Sequence, residues 1–469
     1  MSLPGESLYA AQEPVFPRRV SGPFRTFKWW LMGVTLAIYY LTPWLRWDRG
    51  PNLPDQAVLV DLAGRRFYFF WIEIWPHEFY FIAGLLIMAG LGLFLFTSAL
   101  GRVWCGYACP QTVWTDLFIL VERWVEGDRN ARVRLWNAKW SVRKWRLRIT
   151  KWVLWLLIAI ATGGAWVFYF ADAPTLMANL FTFSAPAVAY STIGILAATT
   201  FIFGGFMREQ VCIYMCPWPR IQAAMMDDDT LTVAYRDWRG EPRGKGKNRD
   251  DLGDCIDCNA CVNVCPMGID IRDGQQMACI TCALCIDACD DVMDKIGKPR
   301  GLIDYLALSD APREQEGKSP RPIWQHVLRT RTIVYTAGWS LIGVALLWAL
   351  FVRPELDVNV TQVRNPQFVT LSDGSLRNAY ELRLRNKHGD DRPFSIQVTG
   401  DVSLITKLEG TDQETVIVPA NETAQQRVYV VAPQGTDPTT AERTNVRFWI
   451  EDLVSGERVH QDSIFTGGG

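Results

Sequence analysis

The chain has 469 residues, room for about three units at roughly 150 residues per domain. Hydrophobic residues make up 49% and charged residues 21%, which excludes a disordered or collagen-like chain. A net charge of −1, from 48 basic and 49 acidic side chains, leaves no electrostatic footprint for nucleic acid.

After a basic N-terminal arm (1–28) come five uncharged stretches: Trp29–Leu45, Phe79–Leu100, Trp152–Ala171, Ala187–Met207 and Thr332–Val352. A helix of about 21 residues is about 31 Å long, the thickness of a bilayer's hydrocarbon. The first stretch is the shortest and needs its flanks, Phe24, Phe27 and Trp47, to span. The 21 tryptophans suit girdles at the two membrane surfaces. The expected architecture is a five-helix transmembrane α-bundle, with four helices in 29–207 and the fifth in 332–352. The loop 101–151 carries 11 Lys and Arg against 4 acids, and 172–186 carries no basic residue. Basic loops stay inside. The N-terminus, 101–151 and 208–331 are therefore expected in the cytoplasm. The tail 353–469, with 12 basic and 17 acidic residues, is then expected outside, as an exported domain.

Within the first loop, Leu135, Trp136, Trp140, Trp145 and Leu147 alternate with cations. This composition predicts an amphipathic helix at the level of the lipid headgroups rather than a nucleic-acid site.

All 12 cysteines lie between Cys105 and Cys289, unlike a secreted disulfide scaffold. Cys255, Cys258, Cys261 and Cys265 form a C-x2-C-x2-C-x3-C run followed by Pro266; Cys279, Cys282, Cys285 and Cys289 repeat the run without the proline. This is the bacterial ferredoxin spacing for two [4Fe–4S] clusters, in which the fourth cysteine of each run serves the other cluster. The expected ligand sets are Cys255, Cys258, Cys261 with Cys289, and Cys279, Cys282, Cys285 with Cys265. A zinc knuckle would explain one C-x2-C, not two full copies. Asp250, Asp251, Asp254, Asp257, Asp287 and Asp290 crowd the segment, either lowering the cluster potential or simply solvating the surface.

The other four cysteines form a second pattern. Cys105-Gly-Tyr-Ala-Cys109-Pro110 follows the second stretch and Cys212-Ile-Tyr-Met-Cys216-Pro217 the fourth. The two copies are in register, with Tyr107 and Tyr214 at the same offset. An i, i+4 spacing puts two thiols on one helix face. Four soft sulfurs could thus converge where lipid meets water. A copper site, an extra iron–sulfur ligand set and a redox thiol site all remain open. The histidines, His77, His326, His388 and His460, lie outside the middle of every span, so no haem relay across the bilayer is built in.

From Leu356 the pattern becomes short alternating runs: Val358–Val363, Ala379–Leu384, Phe394–Val398, Thr415–Val418, Gln426–Val431 and Asn445–Ile450. Turn residues punctuate them, and an all-β sandwich of immunoglobulin type is expected for 353–469, serving to dock a partner.

Paired C-x3-C-P motifs, a two-cluster ferredoxin loop and a C-terminal sandwich together resemble the cytochrome c oxidase accessory proteins of the FixG/RdxA type. The stretch Val369-Thr-Leu-Ser-Asp-Gly-Ser-Leu-Arg-Asn-Ala-Tyr-Glu-Leu-Arg-Leu-Arg-Asn-Lys387 looks like that family's exported domain. The resemblance implies a ferredoxin-like factor for assembly of a cbb3-type oxidase that reduces Cu(II) to Cu(I) on the cytoplasmic side. It makes Cys105, Cys109, Cys212 and Cys216 the copper-handling thiols and the other eight cysteines cluster ligands. Expected partners are a copper chaperone or exporter, oxidase assembly proteins, membrane lipid, and a cytoplasmic electron donor or quinol. A quinol dehydrogenase and a redox-sensing scaffold are the competing roles.

Overall fold

The computed structural model describes residues 14–246, 251–353, 356–400, 404–411, 413–420 and 422–468. The chain divides into two compact units, one of Met1–Leu45 with Gln56–Leu346, the other of Arg46–Asp55 with Leu347–Gly469.

In the first unit, α1 (Pro23–Leu41) starts on a proline at its first position. Its leading amides are capped from a distance: Asp287 accepts from Phe24 N (3.2 Å) and Arg25 N (2.7 Å). A meander of β1 (Val58–Asp61), β2 (Arg66–Phe69) and β3 (Ile72–Ile74) follows, antiparallel throughout. No uncharged run announced these strands. Next come α2 (Phe79–Leu100), α3 (Val103–Tyr107), α4 (Pro110–Glu126), α5 (Arg129–Asn137), α6 (Val142–Val167), α7 (Ala173–Phe181) and α8 (Ala187–Thr200). The α8 axis continues through a widened π-helical stretch, Phe201–Met207. Two glycines there admit aromatic rings, since a Cβ on Gly205 would lie 2.8 Å from the Trp155 ring.

The cysteine-rich segment follows α9 (Trp218–Met225) and is bracketed by one antiparallel pair, β4 (Thr232–Tyr235) with β5 (Ile303–Leu306). Between these strands lie α10 (Asp237–Gly240), α11 (Ala260–Val264) and α12 (Leu284–Lys295); α13 (Ala311–Gln315), α14 (Ile323–Val327) and α15 (Thr330–Val352) complete the series.

Among the described residues four helices are long and apolar enough to cross a membrane: Pro76–Leu100, Val142–Val167, Ala187–Met207 and Thr330–Val352. The expected first span is not one of the four. It folds as α1, but the helix begins at Pro23, ahead of Trp29, and its first two turns carry Arg25 and Lys28, both buried against Asp116 at 2.8 and 3.8 Å.

The basic segment 131–151 also differs from its expectation. The chain breaks at Ala138–Ser141, and the residues beyond form the first turns of the long α6, capped by Ser141 Oγ accepting from Lys144 N. Several cations turn inward. Arg132, Lys151 and Arg208 surround Glu122, while Arg148 (3.2 Å) and Lys151 (3.0 Å) hold Glu126. Burying two carboxylates in α4 requires this compensation, while Trp136, Trp140 and Trp145 stay exposed.

The second unit is a two-sheet sandwich. One sheet runs β10 (Ile405–Leu408), β12 (Thr423–Ala432), β8 (Leu376–Arg385), β6 (Asp357–Gln362), with β7 (Val369–Thr370) also on β8. The other runs β11 (Thr415–Val418), β9 (Arg392–Gly400), β13 (Arg443–Asp452), β14 (Arg458–Thr466). Strict alternation along β8 and β13 directs Tyr380, Leu382, Leu384, Phe448 and Ile450 into the shared core. The Tyr380 hydroxyl donates to the Ile464 carbonyl (2.8 Å), tying one sheet to the other.

Candidate metal centres

The two ferredoxin-type runs fold alike. In each, the residues on either side of the middle cysteine have left-handed backbone: Asp257 (φ 50°) and Asn259 (φ 56°) around Cys258, Thr281 (φ 55°) and Ala283 (φ 59°) around Cys282. None of the four is glycine, so the conformation costs energy in each loop. Left-handed residues in such loops can turn backbone amides inward, toward the anionic sulfurs of an iron–sulfur centre. Thr281 N accordingly donates to Cys279 Sγ at 3.4 Å.

The thiols sort into two groups across the repeat. One cavity is lined by Cys255, Cys258, Cys261 and Cys289, a second by Cys265, Cys279, Cys282 and Cys285 with Cys261 at its margin. Burial first, and the neighbouring thiols second, push Cys265 and Cys289 up to about 12. Such thiols hold their protons until a metal replaces them. Four soft donors around each cavity, with amides turned inward, fit a [4Fe–4S] cluster. Bound there, it would store and pass single electrons.

The acids crowding this segment are largely engaged. Arg272 reaches Asp257 (2.8 Å) and Asp270 (2.6 Å), Arg239 holds Asp254 at 2.6 Å, and Asp287 caps α1. These contacts serve the module's structure; Asp250 lies outside the described residues.

Cys105 and Cys212, one from each C-x3-C-P motif, lie within electrostatic range of each other and of the remaining two thiols, Cys109 and Cys216. Burial raises Cys105 and pushes Cys212 up to about 12. Cys105 Sγ meets Gln222 Oε1 at 3.2 Å, and Gln222 Nε2 donates to Thr97 Oγ1, so both motifs are tied to the end of α2. Pro110 starts α4 and Pro217 caps α9, the helices that follow the two motifs. Among the described residues no three His, Cys, Asp or Glu side chains converge tightly enough to hold a single metal ion.

The thiol site lies against the ferredoxin loop. Cys105 and Cys212 pack in the same cluster as Ile280, Cys282 and Leu284. A Cβ on Gly106 would fall 2.5 Å from the Ile280 carbonyl oxygen and 3.0 Å from Cys282 N and Cα. Arg102 spans the same seam, donating to the carbonyls of Met277 and Cys279. The motif reading assigned Gly106 no role. The signal was the asymmetry of the repeat, glycine in the first motif where the second has Ile213.

Apolar membrane-length helices, a doubled ferredoxin loop and an immunoglobulin-like sandwich define a membrane iron–sulfur protein. Family models match a 4Fe-4S binding domain over residues 81–132, a 4Fe-4S dicluster domain over 207–308 and the IG-like fold at the C-terminus of FixG over 346–468. The chain is 70% identical to Protein RdxB of Cereibacter sphaeroides over 99% of its own length and 98% of that protein. It is 65% identical to Protein RdxA of the same organism, over 96% of each chain. With the Nitrogen fixation protein FixG of Rhizobium meliloti the identity is 54%, over 91% of this chain and 88% of that one. The chain belongs to the FixG/RdxA family.

Proposed function

We propose that this chain is a cupric reductase of the bacterial inner membrane that supplies Cu(I) for assembly of a cbb3-type oxidase. The observation that carries the proposal is the contact of Gly106 with Cys282, which leaves no room for a side chain between the thiol site and the ferredoxin loop. The eight ferredoxin-type cysteines hold two [4Fe–4S] clusters in the crossed sets described above. Cys105, Cys109, Cys212 and Cys216 receive Cu(II) as substrate. Thiolate donors favour Cu(I) over Cu(II), so the site itself draws the electron onto the metal. The half-exposed position of these thiols lets a copper chaperone or exporter take the product.

In this proposal α1 is the fifth span. Its first turn is held by α12, and Tyr39 and Tyr40 reach Thr162 of α6 at 2.7 and 2.8 Å. The N-terminus and ferredoxin module are cytoplasmic, and the sandwich is a periplasmic docking domain for oxidase assembly proteins.

One observation favours a second role for the four thiols. The 4Fe-4S binding model covers Cys105 and Cys109, consistent with an additional iron–sulfur ligand set. Both roles are decided by anaerobic reduction of the purified protein, removal of the reductant and addition of Cu(II) with a Cu(I)-selective dye. Cys105→Ser with Cys212→Ser should abolish Cu(I) formation while the ferredoxin-type absorbance persists. Loss of iron in that variant supports the ligand role, and unchanged Cu(I) formation removes these thiols from the mechanism.

A further inference from the structure

A cavity of about 650 Å³, within the size range of small-molecule sites, opens between the first turn of α1, the α2–α3 junction, β5 and α14. One wall is apolar: Phe24, Phe27, Leu100 and Val103. Leu100 ends a membrane-length helix, and Phe27 is 57% exposed, so this wall faces the depth at which lipid would lie. The opposite wall is polar, and its charges are mostly spent on one another. Arg236 holds Glu314 (2.7 Å) and Asp304 (3.5 Å), and Arg321 holds Asp310 (2.5 Å).

The exception is His326. It is 2% exposed and lines the cavity. Its Nε2 donates to Asp310 at 2.8 Å, but Nδ1 has no hydrogen bond among the described residues, and the carboxylate of Asp229 is 3.7 Å away. With Nε2–H held by Asp310, the ring keeps one basic nitrogen, Nδ1, on its Asp229 side. Asp229 and Asp310 are in turn shared with Arg321, and Asp229 also faces Arg329 at 3.8 Å.

The third side abuts the cysteine loops. Tyr107 and Tyr305 line the cavity. Tyr305 donates to the carbonyl of Thr281, between Cys279 and Cys282, at 2.9 Å, and Tyr107 adjoins Gly106, which presses on Cys282. An apolar entrance at span depth, a buried base and direct backing by a cluster loop match the needs of an amphipathic two-electron donor.

We propose that this cavity binds and oxidises a membrane quinol, the electron donor of the reductase. The proposal rests on the iron–sulfur reading of the ferredoxin loops. The quinol loses two electrons and two protons and leaves as quinone. One proton passes to His326, whose ring lines the cavity, the imidazolium being held between Asp310 and Asp229. The other leaves to water at the polar mouth. The electrons go singly to the two iron–sulfur centres, one each.

The exchange is testable in both directions with the full-length, cluster-loaded protein in lipid nanodiscs without oxygen. Decylubiquinone should reoxidise dithionite-reduced protein with saturable kinetics, and decylubiquinol should drive the reverse. His326→Ala is expected to slow both by about 10²-fold, the usual worth of a positioned base. Val103→Trp, which fills the apolar wall, should raise the half-saturating quinone concentration at least ~10-fold, a loss of about 1.4 kcal/mol of binding. Reoxidation by ferricyanide should be unchanged in both variants. In cluster-free protein a photoreactive azidoquinone should label peptides containing Val103–Tyr107 or Ile323–His326. Linear dependence on quinone, unchanged rates in both variants, or labelling elsewhere overturns the proposal. If dithionite-reduced protein still reduces Cu(II) in that case, only the quinol site falls. Absence of any cluster signal after dithionite removes both.

Discussion

Gly106→Ala is the sharpest test of the contact between the thiol site and the ferredoxin loop. The added methyl would sit 2.5 Å from the Ile280 carbonyl oxygen, well inside the 3.4 Å at which ordinary contact begins. The obstacles are backbone atoms of a loop pinned by Arg102 and by two left-handed residues, so neither side can swing away. Overpacking of this kind costs about 1–3 kcal/mol, and rigid neighbours place Gly106→Ala near the upper end, at about 3 kcal/mol. Gly164→Ala on α6 is the control, because nothing lies within 4 Å of its Cβ and helix propensity favours alanine by about 1 kcal/mol. The assay is denaturant unfolding of detergent-solubilised full-length protein, followed by loss of cluster absorbance, with Cu(II) reduction measured in parallel. Gly106→Ala should unfold early and lose copper reduction, while Gly164→Ala should match or exceed wild type. A Gly106→Ala protein as stable as an ordinary surface variant, within about 0.5 kcal/mol of wild type, and reducing copper normally, would show that the close approach is not needed.

Burial alone would raise the pKa of Glu122, but Arg208, Arg132 and Lys151 hold it down to about 2 from its usual 4.5. A depressed carboxyl contributes stability that is complete above pH 4.5 and is lost as pH falls from 4.5 toward 2, on the order of 3 kcal/mol here; acid titration of unfolding should show that window and no loss between pH 7 and 5. Glu122→Gln leaves two buried cations, Arg132 and Lys151, and the partly buried Arg208 without their shared partner and should cost about 3–5 kcal/mol at neutral pH, read by the same unfolding curves. Ala283→Gly relieves left-handed backbone at φ 59° and should leave cluster-free stability unchanged or raise it by about 1 kcal/mol, whereas Ala288→Gly inside α12 should lower it by about 1 kcal/mol. Phe448→Ala empties a fully buried position of the sandwich and should cost about 3–5 kcal/mol in calorimetry, with no change in cluster absorbance, because the sandwich is a separate unit.

Some features were legible because they are local. The two C-x2-C-x2-C-x3-C runs announce a doubled cluster loop through covalent spacing alone, and period-2 alternation such as Leu376 to Leu384 reads directly as strand. Even there, β10 and β14 escaped notice. Lys407 interrupts the short β10, and β14, Arg-Val-His-Gln-Asp-Ser-Ile-Phe-Thr, has one face too polar to announce itself; pairing with β13 makes it a strand. The β1–β3 meander was missed for the same reason, since short strands with mixed faces depend on their neighbours.

What the amino-acid order determined by itself was chemistry and class: twelve thiols in repeated spacings, apolar runs of bilayer length, an alternating tail. Those patterns reside in neighbours along the chain, where geometry is set by bond lengths and by helix and strand periods. Only the tertiary structure decided which groups meet. It brought Gly106 against Cys282 from a distant part of the chain, turned the cations of α5 and α6 inward to Glu122 and Glu126, and set His326 beside Asp310 at the edge of a cavity. Buried charge must find its partner and close-packed backbone must find a glycine, and both searches run through space, so no local pattern records their outcome.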